Sequence, residues 1–462
     1  MSGTEPKWTA EKILAAAVCL HTFALLFDLA CPQSLYLPEI SSPLTAAALL
    51  LRAIKGERIR TRCLLCAPAL LLAAYIALDI LSFLRGDLRA FAEKYRVAAV
   101  CALNAAGLYI SLNDGALSPR GIYLTLCAAG MSAGIAALAD RFLLNFSQTQ
   151  YTMRITLRND YNMYATVLLF AAIGGLGALL TCPPKPWRYT AFFASAAFLG
   201  GMAYLSGSRR ILMAQLPVGL ISIFTAVYSC TNRAEGRRAP SGGRDIRSLF
   251  AVTVSAAAFT LIAALAAPAV LGALERQSAP SGGAPSGETT LSERYDSLER
   301  AEDKDALGTR RVLWSAAIDE IAGMDTGELL FGRGGGYDIA LYDRLLQSDG
   351  SVLGEAFGDG EKYLGKLSAH NFFLSDILCG GILRESVSAA LWASLAIYAL
   401  RSVSDSPLRK LPCAMLLAVP FLNSFISNRY GFLYDRCFWT AAVITIFTAQ
   451  KSGRGDCENG RV

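Results

Sequence analysis

Charge is what this chain is short of. Of its 462 residues, 17% are Asp, Glu, Lys or Arg, where an ordinary soluble domain carries about 25%. Mean hydropathy is +0.39, so a water-soluble globular domain is excluded and an integral membrane protein is expected. Histidine is scarcer still, with two residues, His21 and His370. No acidic cluster has ligand spacing either, so neither a metal centre nor a cofactor is expected. Most of the 12 cysteines lie inside or at the ends of apolar stretches, where a thiol behaves as a small hydrophobe. Cys63-Leu-Leu-Cys66 has redox or zinc spacing, but it opens an apolar span and has no second ligand pair nearby. There is no internal repeat, and no nucleic-acid partner is expected.

What is present is a succession of apolar runs about as long as the ~20 residues a helix needs to cross hydrocarbon. They fall near 13–30, 35–54, 63–84, 97–113, 119–138, 161–181, 189–206, 211–229, 249–273, 384–401, 409–427 and 431–449. Because several follow one another, the first is not read as a removable signal. The expected fold is all-α: a polytopic membrane protein of about twelve transmembrane helices with one large outer loop. Residues 1–273 form an N-terminal bundle of about nine helices, 274–369 the loop, 370–450 the last helices and 451–462 a cytoplasmic tail. Span 35–54 is the weakest, since Pro38, Glu39 and Pro43 fall in its first half.

Orientation follows from Lys and Arg, which insertion retains on the cytoplasmic side. The loops Arg52 to Arg62 and Arg233 to Arg247, the Lys185–Arg188 and Arg409–Lys410 turns, and the tail share one side in a twelve-span arrangement. That side is expected to be cytoplasmic. Arg85 to Arg96 falls on the other side with Arg85, Arg89, Lys94 and Arg96, and cations kept there against the insertion bias point to an anionic ligand. Within the outer loop, Ser278 to Thr290 reads as a flexible Ser/Gly/Pro linker. Arg310 to Ala322 carries Val312, Leu313, Ala316, Ala317 and Ile321 at helical spacing. Gly332-Arg-Gly-Gly-Gly336 has phosphate-cradle composition without a strand-to-helix unit, so it reads as a tight turn.

The loop ends at His370-Asn371, followed by nine residues and Gly381, where polar sequence re-enters apolar sequence. Upstream stand Arg154-Ile-Thr-Leu-Arg158-Asn-Asp-Tyr-Asn162 just before a span, and Leu205-Ser-Gly-Ser-Arg209-Arg210 at the end of another. Arg311-Val-Leu-Trp314 and Phe331-Gly-Arg-Gly334 follow in the loop. In order and spacing, over roughly residues 150–400, these fragments resemble the O-antigen ligase and polymerase family. One departure is Arg384, three positions beyond Gly381, where the family tends to have a small residue.

The resemblance implies a metal-independent, inverting glycosyltransferase. It would move a glycan from an undecaprenyl-diphosphate-linked donor to an acceptor hydroxyl, on a glycan or a lipid, at the outer face of a bacterial cytoplasmic membrane. The residues agree chemically. A departing lipid diphosphate carries several negative charges, and without a metal its stabilisation falls to arginines, whose planar forks suit paired phosphate oxygens. Arg209 and His370 are the expected catalytic pair, His370 taking the acceptor proton or bonding a phosphate oxygen. Arg210, Arg154, Arg158 and Arg311 are the expected diphosphate ligands, with Asn371, Asn162 and Gly381 supporting them. Each also has a plainer reading: interfacial arginines snorkel, Trp314 and His21 fit packing, and a lone His can simply end a helix. The competing class is a multi-span transporter or flippase. Such carriers usually have two similar halves and a central cytoplasmic loop, neither of which is visible here.

The derived topology is open to a direct test. In a cysteine-depleted background, Arg209→Cys and His370→Cys are both expected to react with a membrane-impermeant thiol reagent added from outside. Reaction of one from outside and the other only from inside would overturn the shared face.

Overall fold

The computed structural model describes residues 9–31, 36–56, 66–144, 154–157, 160–181, 186–208, 309–348, 364–365, 367–405, 407–426 and 431–459. Among these residues there are helices and turns but no strand. The helices are α1 (Ala10–Ala30), α2 (Leu37–Ile54), α3 (Ala67–Phe83), α4 (Leu88–Asn113), α5 (Pro119–Ala139), α6 (Tyr161–Leu180) and α7 (Pro186–Leu205). After the expected spans 211–229 and 249–273, which lie outside the described residues, come α8 (Thr309–Ala322), α9 (Thr326–Phe331) and α10 (Tyr337–Gln347). The chain closes with α11 (Phe372–Asp405), α12 (Pro407–Ile426) and α13 (Arg436–Asn459). Among the described residues five helices are long and apolar enough to cross a membrane: α1, α2, α4, α6, and α5 with its continuation to Leu144.

Two helices begin earlier than hydropathy indicates. The span expected from 97 starts at Leu88, because Asp87 caps the helix by accepting from the Arg89 N–H at 2.8 Å. Charged residues then continue the helix without being apolar. The span expected from 384 starts at Phe372, where the Asn371 side chain accepts from the Leu374 N–H at 3.3 Å. Residues 372–383, between the His370-Asn371 border and the expected span, belong to this helix.

The long helices pack side by side with small residues at the closest approaches. A Cβ on Gly130 of α5 would overlap Ala171 of α6, and one on Gly174 of α6 would overlap Leu126. Ion pairs join the helix ends. Arg436 meets Asp28 at 2.7 Å where α13 begins and α1 ends. Arg52 meets Asp114 and the Tyr109 hydroxyl donates to Gln450 at 2.8 Å at the opposite end. The first of these ends also carries the α3–α4 turn, the start of α6, the end of α7 and the approach to α11.

Helices α8 and α10 have their own small core, in which Leu313 and Ala317 face Leu341, Tyr342 and Leu346, closed by Leu367, Ala369 and Leu378. The Tyr342 hydroxyl donates to the Leu313 carbonyl at 2.7 Å. A capping box on Asp325 and Glu328 starts α9. Arg333 is held between Glu320, Glu328 and Tyr337, and Arg344 reaches the same Glu320 at 3.0 Å. Burial pushes the Glu320 carboxyl up. The Tyr337 and Arg344 hydrogen bonds and the two guanidinium charges outweigh that and leave it below its ordinary value.

This unit is fastened to the bundle by the glycine turn. Gly332, Gly334 and Gly336 all have positive φ, a conformation that costs other residues about 1 kcal/mol or more. Helix α11 breaks at Gly381 (φ 73°, ψ 177°), and a break frees carbonyls of the preceding turn. The Arg333 and Gly334 amides take up the Leu378 and Cys379 carbonyls at 2.9 and 3.0 Å. Ser82 of α3 donates to the Cys379 carbonyl as well, at 2.7 Å. On its other side the turn pairs with the α3–α4 connection, the Gly335 amide donating to Ser82 O and the Asp87 amide to Gly335 O. Side chains are barred from this joint: a Cβ on Gly332 would overlap the Cys379 backbone, and one on Gly381 the Leu330 backbone. Gly332→Ala is therefore expected to undock residues 326–348 from the bundle. Limited proteolysis in detergent should cleave there at least about tenfold faster than in wild type, while wild-type cleavage rates would refute the joint.

Candidate functional site

Residues 154–157 run beside the end of α7, where the Ile155 amide donates to the Leu205 carbonyl at 3.0 Å. Arg154 is 6% exposed, and its guanidinium lies over the Tyr161 ring at 4.4 Å, a distance at which cation–π attraction operates. Asp160 caps α6 by accepting from the Met163 N–H at 3.3 Å. One residue past Tyr161, the Asn162 side-chain oxygen accepts from the Ser208 hydroxyl at 2.8 Å. Ser208 closes a turn made at Gly207 (φ 71°), and Ser206 and Ser208 are fully buried. Thus the first Arg-containing fragment and the Ser-Gly-Ser turn, separate in sequence, are one structural unit. Arg158, Arg209 and Arg210 lie outside the described residues.

The loop carries two adjacent arginines at the start of α8, and they differ in exposure. Arg311 is exposed on α8. Arg310 is half-buried instead, and Tyr161 is its electrostatic neighbour. Burial pulls its guanidinium below the ordinary value, with Tyr161 acting in the opposite sense. Arg310 makes no ion pair among the described residues. Adjacent positions on a helix point about 100° apart, which gives the two arginines their different exposures. Trp314, one turn on, packs against the α8–α10 core.

His370 is half-buried, and its backbone is left-handed (φ 47°). A non-glycine residue in that region is strained by about 1–3 kcal/mol, and such strain collects at functional positions. The flanking chain holds it there: Leu367, Ser368 and Ala369 are buried, and the His370 amide approaches Ser368 Oγ at 3.4 Å. Asn371 caps α11 with its side chain and offers its carbonyl to the Ser375 amide at 3.1 Å. Gly381, ten residues on, is the break that receives the glycine turn. His21, expected in the core, is fully buried with Nδ1 3.1 Å from Thr45 Oγ1.

Sequence reasoning missed a charge network within the bundle. Arg384 is 4% exposed and bridges two carboxylates, Asp79 of α3 and Asp376 of α11, each at 2.8 Å. The other Asp79 oxygen takes Lys94 at 2.7 Å and the Tyr95 hydroxyl at 2.8 Å. The Tyr75 hydroxyl donates to Asp376 at 2.8 Å. Asp79, in Tyr75-Ile-Ala-Leu-Asp79-Ile-Leu, was the available signal, since a carboxylate inside an apolar span is costly and demands a partner. Two of the four 85–96 cations have carboxylate partners within the protein. Lys94 belongs to Asp79, Arg96 pairs with Glu39 at 2.9 Å, and Arg85 lies over the Phe331 ring at 5.8 Å. The adjoining cavity, lined in part by Lys94, Asp338 and Ser375, is about 30 Å³. That is room for about one or two waters and too little for a sugar or a phosphate.

No protein-family model matches the chain, and no curated protein matches it. Among the described residues no group of His, Cys, Asp or Glu can hold a metal ion.

Asn162→Ala removes the partner of the buried Ser208 hydroxyl. An unpaired buried group costs about 1–3 kcal/mol, so the variant is expected to unfold at lower temperature in detergent. It should also lose amide-exchange protection at Ile155. An unchanged melting temperature with intact protection would show that the Ser208 turn does not depend on this bond.

Proposed function

We propose that the chain is a membrane glycosyltransferase similar to O-antigen ligases and polymerases, which transfers a glycan from an undecaprenyl-diphosphate donor to an acceptor hydroxyl without a metal. The observation that carries the reading is that two of the matching fragments form one unit: Arg154 lies over Tyr161 and Asn162 bonds Ser208, beside the end of α7. Arg310 of the loop is an electrostatic neighbour of Tyr161. A diphosphate supplies the charge and the paired oxygens that guanidinium groups suit. Arg209 and Arg210, the further candidates, follow Ser208 directly in the sequence.

In this reading the acceptor hydroxyl attacks the anomeric carbon as the bond to the diphosphate oxygen breaks, inverting the centre. The arginines neutralise the charge that gathers on the leaving diphosphate. The hydroxyl proton passes to His370, whose strained backbone at the start of α11 gives the imidazole a fixed position. The membrane is the bacterial cytoplasmic one with the site on its outer face, as the loop charges support. A ligase differs from a polymerase only in its acceptor, a lipid or other terminal acceptor against a second lipid-linked glycan. One observation favours a carrier: ionisable residues inside a bundle, as at Asp79 and Arg384, are a usual feature of carriers. Here they are already paired with each other.

Reconstitution with a lipid-diphosphate glycan tests the proposal. Transfer is expected to persist in chelator, and a ladder of product lengths identifies a polymerase while a single adduct identifies a ligase. His370→Ala and Arg209→Ala are expected to abolish transfer at normal protein level. Arg310→Ala should lower it at least about tenfold, and Arg311→Ala should lower it less. Full activity in the His370 or Arg209 variant removes that residue from the mechanism, and solute uptake without bond formation supports the carrier.

A further inference from the structure

Arg384 occupies a place that a small residue would fill more easily, and the geometry of its surroundings gives it a task. It stands three residues past the break at Gly381, on the first turn of the second half of α11. Its side chain folds back across Gly380, where any Cβ would overlap it. It then reaches the first half of the helix, donating to the Asp376 carbonyl at 3.1 Å and pairing with the Asp376 carboxylate at 2.8 Å. Its other terminal nitrogen is held by Asp79 of α3 at 2.8 Å. One guanidinium therefore spans the break and ties both halves of α11 to α3. Asp79 is also the residue that Lys94 and Tyr95 of α4 hold, which fixes α4 to the same point.

The carbonyls exposed by that break, Leu378 O and Cys379 O, are the ones taken by the glycine turn and by Ser82. The first half of α11 begins immediately after His370 and Asn371. We propose that Arg384 and Asp79 are positioning residues. Their ion pair holds α11 in its broken form, keeps the glycine turn seated, and so sets where His370 stands relative to the α8 arginine. This rests on the glycosyltransferase reading only for its effect on the reaction. The effect on the joint is independent of it. A lysine at 384 would supply the charge but could not fork between two carboxylates and a carbonyl, so Arg384→Lys should restore part of what Arg384→Met loses.

The test uses the full chain in nanodiscs, read first by amide hydrogen exchange. Arg384→Met and Asp79→Asn are each expected to speed exchange at residues 333–336 and 374–380 about tenfold or more. Exchange near Tyr109, at the far end of the bundle, should stay at the wild-type rate. Arg384→Lys should fall between. Ser82→Ala, which leaves every charge in place and removes one donor to the Cys379 carbonyl, should speed exchange at the joint alone. In the transfer assay, Arg384→Lys should lower kcat about tenfold with the donor KM within about twofold of wild type. Unchanged exchange at the joint, acceleration spread evenly over the whole chain, or full loss in Arg384→Lys equal to Arg384→Met would each overturn the proposal. If wild type transfers no glycan while the exchange results are as expected, the glycosyltransferase reading falls and the positioning role stands.

Discussion

A helix that breaks inside a bundle leaves carbonyls that water cannot reach, and each must find a donor within the protein. At Gly381 that requirement is met by backbone amides of the loop together with the Ser82 hydroxyl of α3. The consequences run outward from there. The donors must approach within hydrogen-bond distance of another backbone, which accounts for glycine at positions 332 and 381. The loop that supplies them must be ordered, which the α8–α10 core and the Arg333 contacts with Glu320 and Glu328 provide. Once seated, the turn fixes α8 relative to α3 and α11, and with it Arg310 and the strained His370.

The charge network beneath the joint is the second half of the same solution. Four ionised side chains cost several kcal/mol each to desolvate, and Lys94, Asp79, Arg384 and Asp376 offset this by pairing in alternation. The two tyrosine hydroxyls also donate to the carboxylates. The rings of Tyr75, Phe372 and Phe432 are in mutual contact beside the network.

The helices were legible as long apolar runs: ten of the twelve expected spans coincide with helices in the described residues, five of them long and apolar enough to cross a membrane. The α8 helix and the glycine turn were legible for local reasons: apolar spacing over 310–322 and a run of residues able to adopt positive φ. Helix starts at Leu88 and Phe372 were not, because capping by Asp87 and Asn371 carries no hydropathy signal. That Arg310 is half-buried and Arg311 exposed depends on the rotation of α8, a tertiary fact. Arg384 was visible as an oddity after Gly381, but its partners lie on α3 and on the preceding turn of its own helix. Only the three-dimensional arrangement makes it part of a joint.

Asp79 has two cationic partners that leave the ribosome at very different times. Lys94 follows it by 15 residues, whereas Arg384 lies 305 residues downstream. At roughly 5–20 residues per second, that interval is about 15–60 s. During it Lys94 is the one of the two cations already translated. The doubled coordination of one aspartate thus joins an early partner to a late one.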